Sequence, residues 1–110
     1  MTFDEYQQRA LSTAIVHKDP MMAKTIWVMG VAGEAGEVVE KWKKIVAYRQ
    51  GKMSDEDRIE LAKELGDVVW YVAVLADALG LSFDEVMANN LKKLSDRQKR
   101  NVVKGEGDNR

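Results

Sequence analysis

Four carboxylates stand in two equally spaced pairs, Glu34 with Glu37 and Glu64 with Asp67. In a helix, the i, i+3 spacing sets the members of each pair on one face, about 60° apart around the axis. Val31, Val38 and Ile45 border the first pair, and Leu61 and Val68 border the second. Carboxylates that edge an apolar stripe reach the rim of the core when two helices pack through their stripes. Converging negative charges repel unless a cation joins them, because withdrawing unpaired charge from water costs on the order of several kcal/mol per ion. An all-oxygen donor set suits hard divalent ions, Mg²⁺ first and Mn²⁺ as a substitute. Such an ion polarises a phosphoryl group and makes a bound water more acidic. Acidic pairs also occur on ordinary solvated helix faces, so the spacing alone supports a divalent-metal site and no particular reaction.

Other chemistries find less support. A di-iron carboxylate bundle needs Glu-x-x-His pairs, and the one histidine, His17, has Ala14 three residues before it. His17 reads as a helix-end residue. No cysteine is present, which excludes disulfides, thiolate nucleophiles and zinc–thiolate centres. Gly30, Gly33 and Gly36 fall inside a helical stretch, each costing about 1 kcal/mol relative to alanine. They mark either a close helix approach or kink, or room for metals and ligand beside Glu34 and Glu37. Trp27 and Trp42 offer faces on which a base could stack, although aromatics at helical spacing more commonly fill a core.

The elements that would carry these residues are helices. Thr2 with Glu5 forms a capping-box pattern that opens a helix through about His17. Asp19-Pro20 breaks it, and a second helix runs from about Met22 to Tyr48, ending near Gly51. Ser54 with Asp57 opens a third, continuing to Ala78 and stopped by Gly80. Ser82 with Glu85 caps a fourth, through about Arg100. The remainder, to Arg110, has no apolar period and reads as a loop or tail. No segment alternates as a strand does. The expectation is an all-α, four-helix single domain over residues 1–110.

Charge and hydropathy bound the partners. Seventeen basic and 18 acidic residues leave a net charge of −1, so no global field draws the chain to nucleic acid or a membrane, and phosphate recognition must be local. The N-terminus lacks the basic flank and apolar core of a signal peptide. The apolar run from Val68 to Ala76 is too short to span a bilayer. A cytoplasmic protein is expected. The third helix is apolar nearly all round: Leu61, Leu65, Val68, Val72, Leu75 and Leu79 form one stripe, with Trp70, Val74 and Ala78 on the other side. Three further helices can hardly cover it, so a homo-oligomer with this helix at its centre is expected.

Gly33-Glu34-Ala35-Gly36-Glu37 followed by Glu64-Leu65-Gly66-Asp67 resembles the Glu-x-x-Glu, then Glu-x-x-Asp pattern of the MazG-type nucleotide pyrophosphohydrolases. These are all-α NTP pyrophosphatases, alongside dimeric dUTPases and phosphoribosyl-ATP pyrophosphatases. Asn90-Leu91-Lys92-Lys93-Leu94-Ser95-Asp96-Arg97 resembles the family's Asn-x-x-Lys-x-x-x-Arg segment, and the closing Gly105-Glu106-Gly107-Asp108-Asn109-Arg110 resembles the tail of short single-domain members, phage-encoded ones included. The resemblance implies cleavage of a nucleoside or deoxynucleoside triphosphate between the α and β phosphates, giving monophosphate and pyrophosphate. It implies that Glu34, Glu37, Glu64 and Asp67 ligate Mg²⁺, and that Glu37, or Glu34 beside it, also orients the attacking water. It further implies that Lys41, Asn90, Lys93 and Arg97 contact phosphates or sugar, and that the chain forms dimers or tetramers. Arg110 stands in a tail that either closes over bound nucleotide and reaches a phosphate or is disordered. Two alternatives are a related enzyme for another nucleotide, phosphoribosyl-ATP or a modified dNTP, and a non-enzymatic helical interaction module.

Overall fold

A computed structural model describes all 110 residues, and every regular element in it is a helix. α1 spans Phe3–Leu11, α2 Pro20–Arg49, α3 Asp55–Ala78 and α4 Phe83–Lys99. The caps follow the sequence closely. Thr2 and Glu5 exchange the reciprocal bonds of a capping box, and Ser54 and Asp57 do the same at α3. The Ser82 hydroxyl accepts from the Glu85 N–H at the start of α4. α2 ends in a left-handed turn at Gln50 (φ 58°) and Gly51 (φ 78°).

Two boundaries depart from expectation. α1 stops at Leu11 instead of continuing to His17. The Ser12 and Thr13 hydroxyls donate to the carbonyls of Arg9 and Ala10, a local bond that competes with the helical ladder. α2 begins at Pro20, two residues earlier than expected. Proline's fixed φ suits the first helical position, where no N–H is needed, and the Asp19 carboxylate accepts from Met21 N–H in front of it.

α2 and α3 form the long antiparallel hairpin that is the most extensive packing in the molecule. Its closed end is fixed by Arg49, which donates to Asp57 at 2.6 Å. Around its open end sit α1 and the start of α4, and there lies the main core: Ala10, Trp27, Ala73, Val74 and Phe83. Gln7 joins these pieces from inside, its amide donating to the Ala73 and Leu81 carbonyls at 3.0 and 3.1 Å and accepting from Phe83 N–H. α4 leaves the axis of α3 at 104°. No Cα of α2 comes within 8 Å of one in α4.

The resulting molecule is open. Its radius of gyration is 16.9 Å, against about 13 Å for a compact chain of this length. Its accessible surface is 8260 Å², roughly 2,000 Å² more than a compact monomer of this mass exposes. Leu65 and Val69 of α3 and Leu79 just past its end remain exposed, as do Val28, Met29, Val39 and Val46 of α2. No single helix is long and apolar enough to cross a membrane.

Candidate metal centre

Helical periodicity does on α2 and α3 what the spacing requires. Glu34 from α2 and Glu64 and Asp67 from α3 each offer a carboxylate oxygen, and the three oxygens lie within 4.8 Å of one another. Glu34 and Glu64 are half-buried and Asp67 is exposed, which places the group at the rim of the hairpin and open on one side. Partial burial pushes the Glu34 carboxyl above its ordinary range, and the charges of Asp67, Glu64 and Glu37 push it further in the same direction. A carboxyl whose proton affinity is raised by neighbouring carboxylates sits in the electrostatics of a cation site.

The donor set fits a hard divalent ion. Ligand oxygens about 2.1 Å from Mg²⁺ lie about 3.0 Å apart when adjacent and about 4.2 Å apart when opposite, so the three oxygens, within 4.8 Å of one another, would draw together to share one ion. Imidazole and thiolate ligands, which would favour softer metals, are absent from the group.

Glu37 stands apart. It lies one turn further along α2, exposed to solvent and outside the three-oxygen group, yet its charge reaches Glu34. Two neighbours of the site lie outside the two i, i+3 pairs. Glu60, one turn before Glu64, shares Lys41 with it: the ammonium lies 3.5 Å from Glu64 and 4.0 Å from Glu60. Tyr6 of α1 has its phenol pushed up by burial and by the charge of Asp67. Glu60 was visible as another acid on the Glu64 face; Tyr6, far away in sequence, was not.

The glycines divide by role. A methyl on Gly30 would meet the Tyr71 ring, whereas Gly33 and Gly36, flanking Glu34 and Glu37, face open space. The first allows close approach of α2 and α3, and the other two leave room beside the carboxylates. Of the tryptophans, Trp27 is buried in the core and packs edge-on to Trp70, while Trp42 is half exposed.

The α4 candidates lie elsewhere. Asn90 is exposed and lines a shallow hollow with Val86, Asn89 and Lys93. Lys93 donates to Asp108 at 2.8 Å, and Arg97, only 5% exposed, donates to the carbonyl and carboxylate of the same residue. Arg110 turns back on its own segment, donating to the carbonyls of Val102, Val103 and Gly107. The tail is thus folded against α4, with Arg110 holding it closed.

A family model described as the MazG nucleotide pyrophosphohydrolase domain matches residues 24–102, which take in both acidic pairs and α4. The Gene 37 protein of Mycobacterium phage L5 is 43% identical over 114 aligned positions that cover both chains completely. The uncharacterized protein YvdC of Bacillus subtilis (strain 168) is 43% identical over 42 residues, 38% of this chain and 40% of that one. No solved structure matches. With its match extending over most of the chain, the protein belongs to the MazG nucleotide pyrophosphohydrolase family.

Proposed function

We propose that this chain hydrolyses nucleoside or deoxynucleoside triphosphates to monophosphate and pyrophosphate, using Mg²⁺ held by Glu34, Glu64 and Asp67. The observation that carries the reading is the convergence of these three carboxylates on facing helices of a MazG-family chain. A divalent ion bound there supplies polarisation of a phosphoryl oxygen and a more acidic water.

The chain's own residues do the rest. Glu37, outside the three-oxygen group but one turn from Glu34, takes the role of accepting a proton from the attacking water and orienting it. Lys41, beside Glu64 and Glu60, would be available to a phosphate oxygen. Asn90, Lys93 and Arg97 complete phosphate and sugar recognition, arginine through its two-pronged fork. Since α4 keeps clear of α2 within one chain, a second copy of the chain is the proposed means of bringing these residues to the carboxylates. The excess surface supports that assembly. Roughly 2,000 Å² per chain is more than each partner of a standard interface buries, and suits a permanent dimer or tetramer.

Pyrophosphate release from the eight common NTPs and dNTPs, measured with Mg²⁺ and with EDTA, tests the reading. Metal-dependent release that disappears in Glu64→Gln is expected. Release no greater than that of the variant, for every nucleotide, would overturn it.

A further inference from the structure

The C-terminal segment presents an anion to the two cations that the proposed function assigns to phosphate. The Asp108 carboxylate bridges Lys93 Nζ, at 2.8 Å, and Arg97 Nη2, at 3.0 Å. A carboxylate held by a lysine and an arginine reproduces the contacts of one edge of a phosphate. The rest of the segment keeps it there. Gly107 turns with φ 80°, Arg110 is tied to the Val102, Val103 and Gly107 carbonyls, and Arg100 donates to the Arg110 carbonyl at 2.6 Å.

Access to the two cations is unequal. The Arg97 side chain is 6% exposed, so with the tail in place it cannot reach a ligand, while the Asp108 side chain is 73% exposed. An arginine cannot be neutralised by losing its proton, so it stays charged and needs an anion when buried. The Lys93–Asp108 half of the bridge is open to water on both sides, so it contributes little and is where a multiply charged competitor enters.

We propose that residues 101–110 are a self-inhibiting latch in which Asp108 occupies a phosphoanion site on Lys93 and Arg97, and that a di- or triphosphate opens the latch by taking Asp108's place. The site accepts a phosphoanion without metal, and its affinity is set by competition with the tail. The proposal rests on the phosphate role given above to Lys93 and Arg97, but not on hydrolysis.

The test uses the full-length protein and inorganic pyrophosphate in EDTA. Calorimetry should show Asp108→Asn binding pyrophosphate about three- to fivefold more tightly than the unaltered chain, the size of an exposed ion pair. Unchanged or weaker binding by the variant overturns the latch. A second measurement needs no variant: trypsin cleavage after Lys104, followed by mass spectrometry, should quicken as pyrophosphate is added. No acceleration, or protection, overturns the proposal. Because neither measurement involves turnover, a chain that hydrolyses nucleotides yet fails both loses only the latch. One that passes both but releases no pyrophosphate from nucleotides loses only the proposed activity.

Discussion

The Tyr71 ring of α3 lies so close to the α2 backbone at Gly30 that a methyl group there would collide with Tyr71 Cε1. A glycine that looks costly in a helix is therefore what lets the hairpin close at this level. Gly30→Ala gains about 1 kcal/mol of helix propensity but must displace a packed ring, at about 1–3 kcal/mol. The expected result is a net loss in urea denaturation. Gly36→Ala meets nothing within 4 Å, and in the isolated chain should gain about 0.5–1 kcal/mol. If both substitutions stabilise equally, the close approach at Gly30 is not real.

The carboxylate group predicts an apo protein strained by its own charge. Glu34 has a raised folded-state pKa, so its contribution to stability is present in full below the ordinary value of 4.5 and lost as pH rises through the folded value. Glu34→Gln should melt higher than the unaltered chain at pH 7 in EDTA. The two should converge as pH falls to 4. Mg²⁺ should raise the melting temperature of the unaltered chain and do little for the variant. A variant less stable at pH 7 without metal would contradict this.

Asp57 makes the opposite prediction. The Arg49 guanidinium, with the Ser54 N–H, lowers its carboxyl from 3.8 to about 2. Its contribution is therefore present above 3.8 and lost as pH falls through about 2. Asp57→Asn should remove part of the acid sensitivity between these values. A pH–melting curve of the variant parallel to that of the unaltered chain over this range would count against the pairing.

Gln7 gives a sharper test of the core. Replacing its buried amide with leucine leaves the Ala73 and Leu81 carbonyls without their partner, at a cost of about 1–3 kcal/mol. Gln7→Leu should unfold at lower urea concentration with unchanged Mg²⁺ affinity. A loss of metal affinity would mean that α1 positions the carboxylates more directly than the fold indicates.

At the metal, Glu64→Gln or Asp67→Asn should lower pyrophosphate release by at least about 100-fold, a larger effect than loss of an outer partner of a metal ligand. The folded chain should survive, because removing a carboxylate from an unfilled cluster relieves repulsion. Circular dichroism and turnover on the same sample decide this; equal activity would remove these residues from the site.

What the sequence made legible was local. The helix caps at Thr2, Ser54 and Ser82 lie within three residues of their partners, and both acidic pairs follow from helical periodicity. The end of α1 was missed because the Ser12 and Thr13 hydroxyls take carbonyls that a longer helix would have used. Periodicity also names a face without saying which side chains turn inward, so it grouped Glu37 with the other three. The bonds from Gln7 to Ala73 and from Lys93 to Asp108 span 66 and 15 residues. No repeating pattern in the chain joins them. Arg97 looked like part of a solvated or ligand-binding face, but it is buried and bonded to Asp108 of the folded tail.

The main apolar core lies at one end of the α2–α3 hairpin, with α1 and the start of α4 around it, while Glu34, Glu64 and Asp67 sit on the two long helices outside that core, with Tyr6 of α1 near enough to feel the Asp67 charge. That part of the hairpin lacks the buried core and carries a group of like charges, so it should be the first to open. Amide hydrogens around residues 31–41 and 60–68 should exchange faster than those of Ala73 and Val74, and Mg²⁺ should slow the first group selectively. The ion would then act as a fastener for the half of the hairpin the core does not reach, and occupancy of the site would be felt as rigidity along both helices.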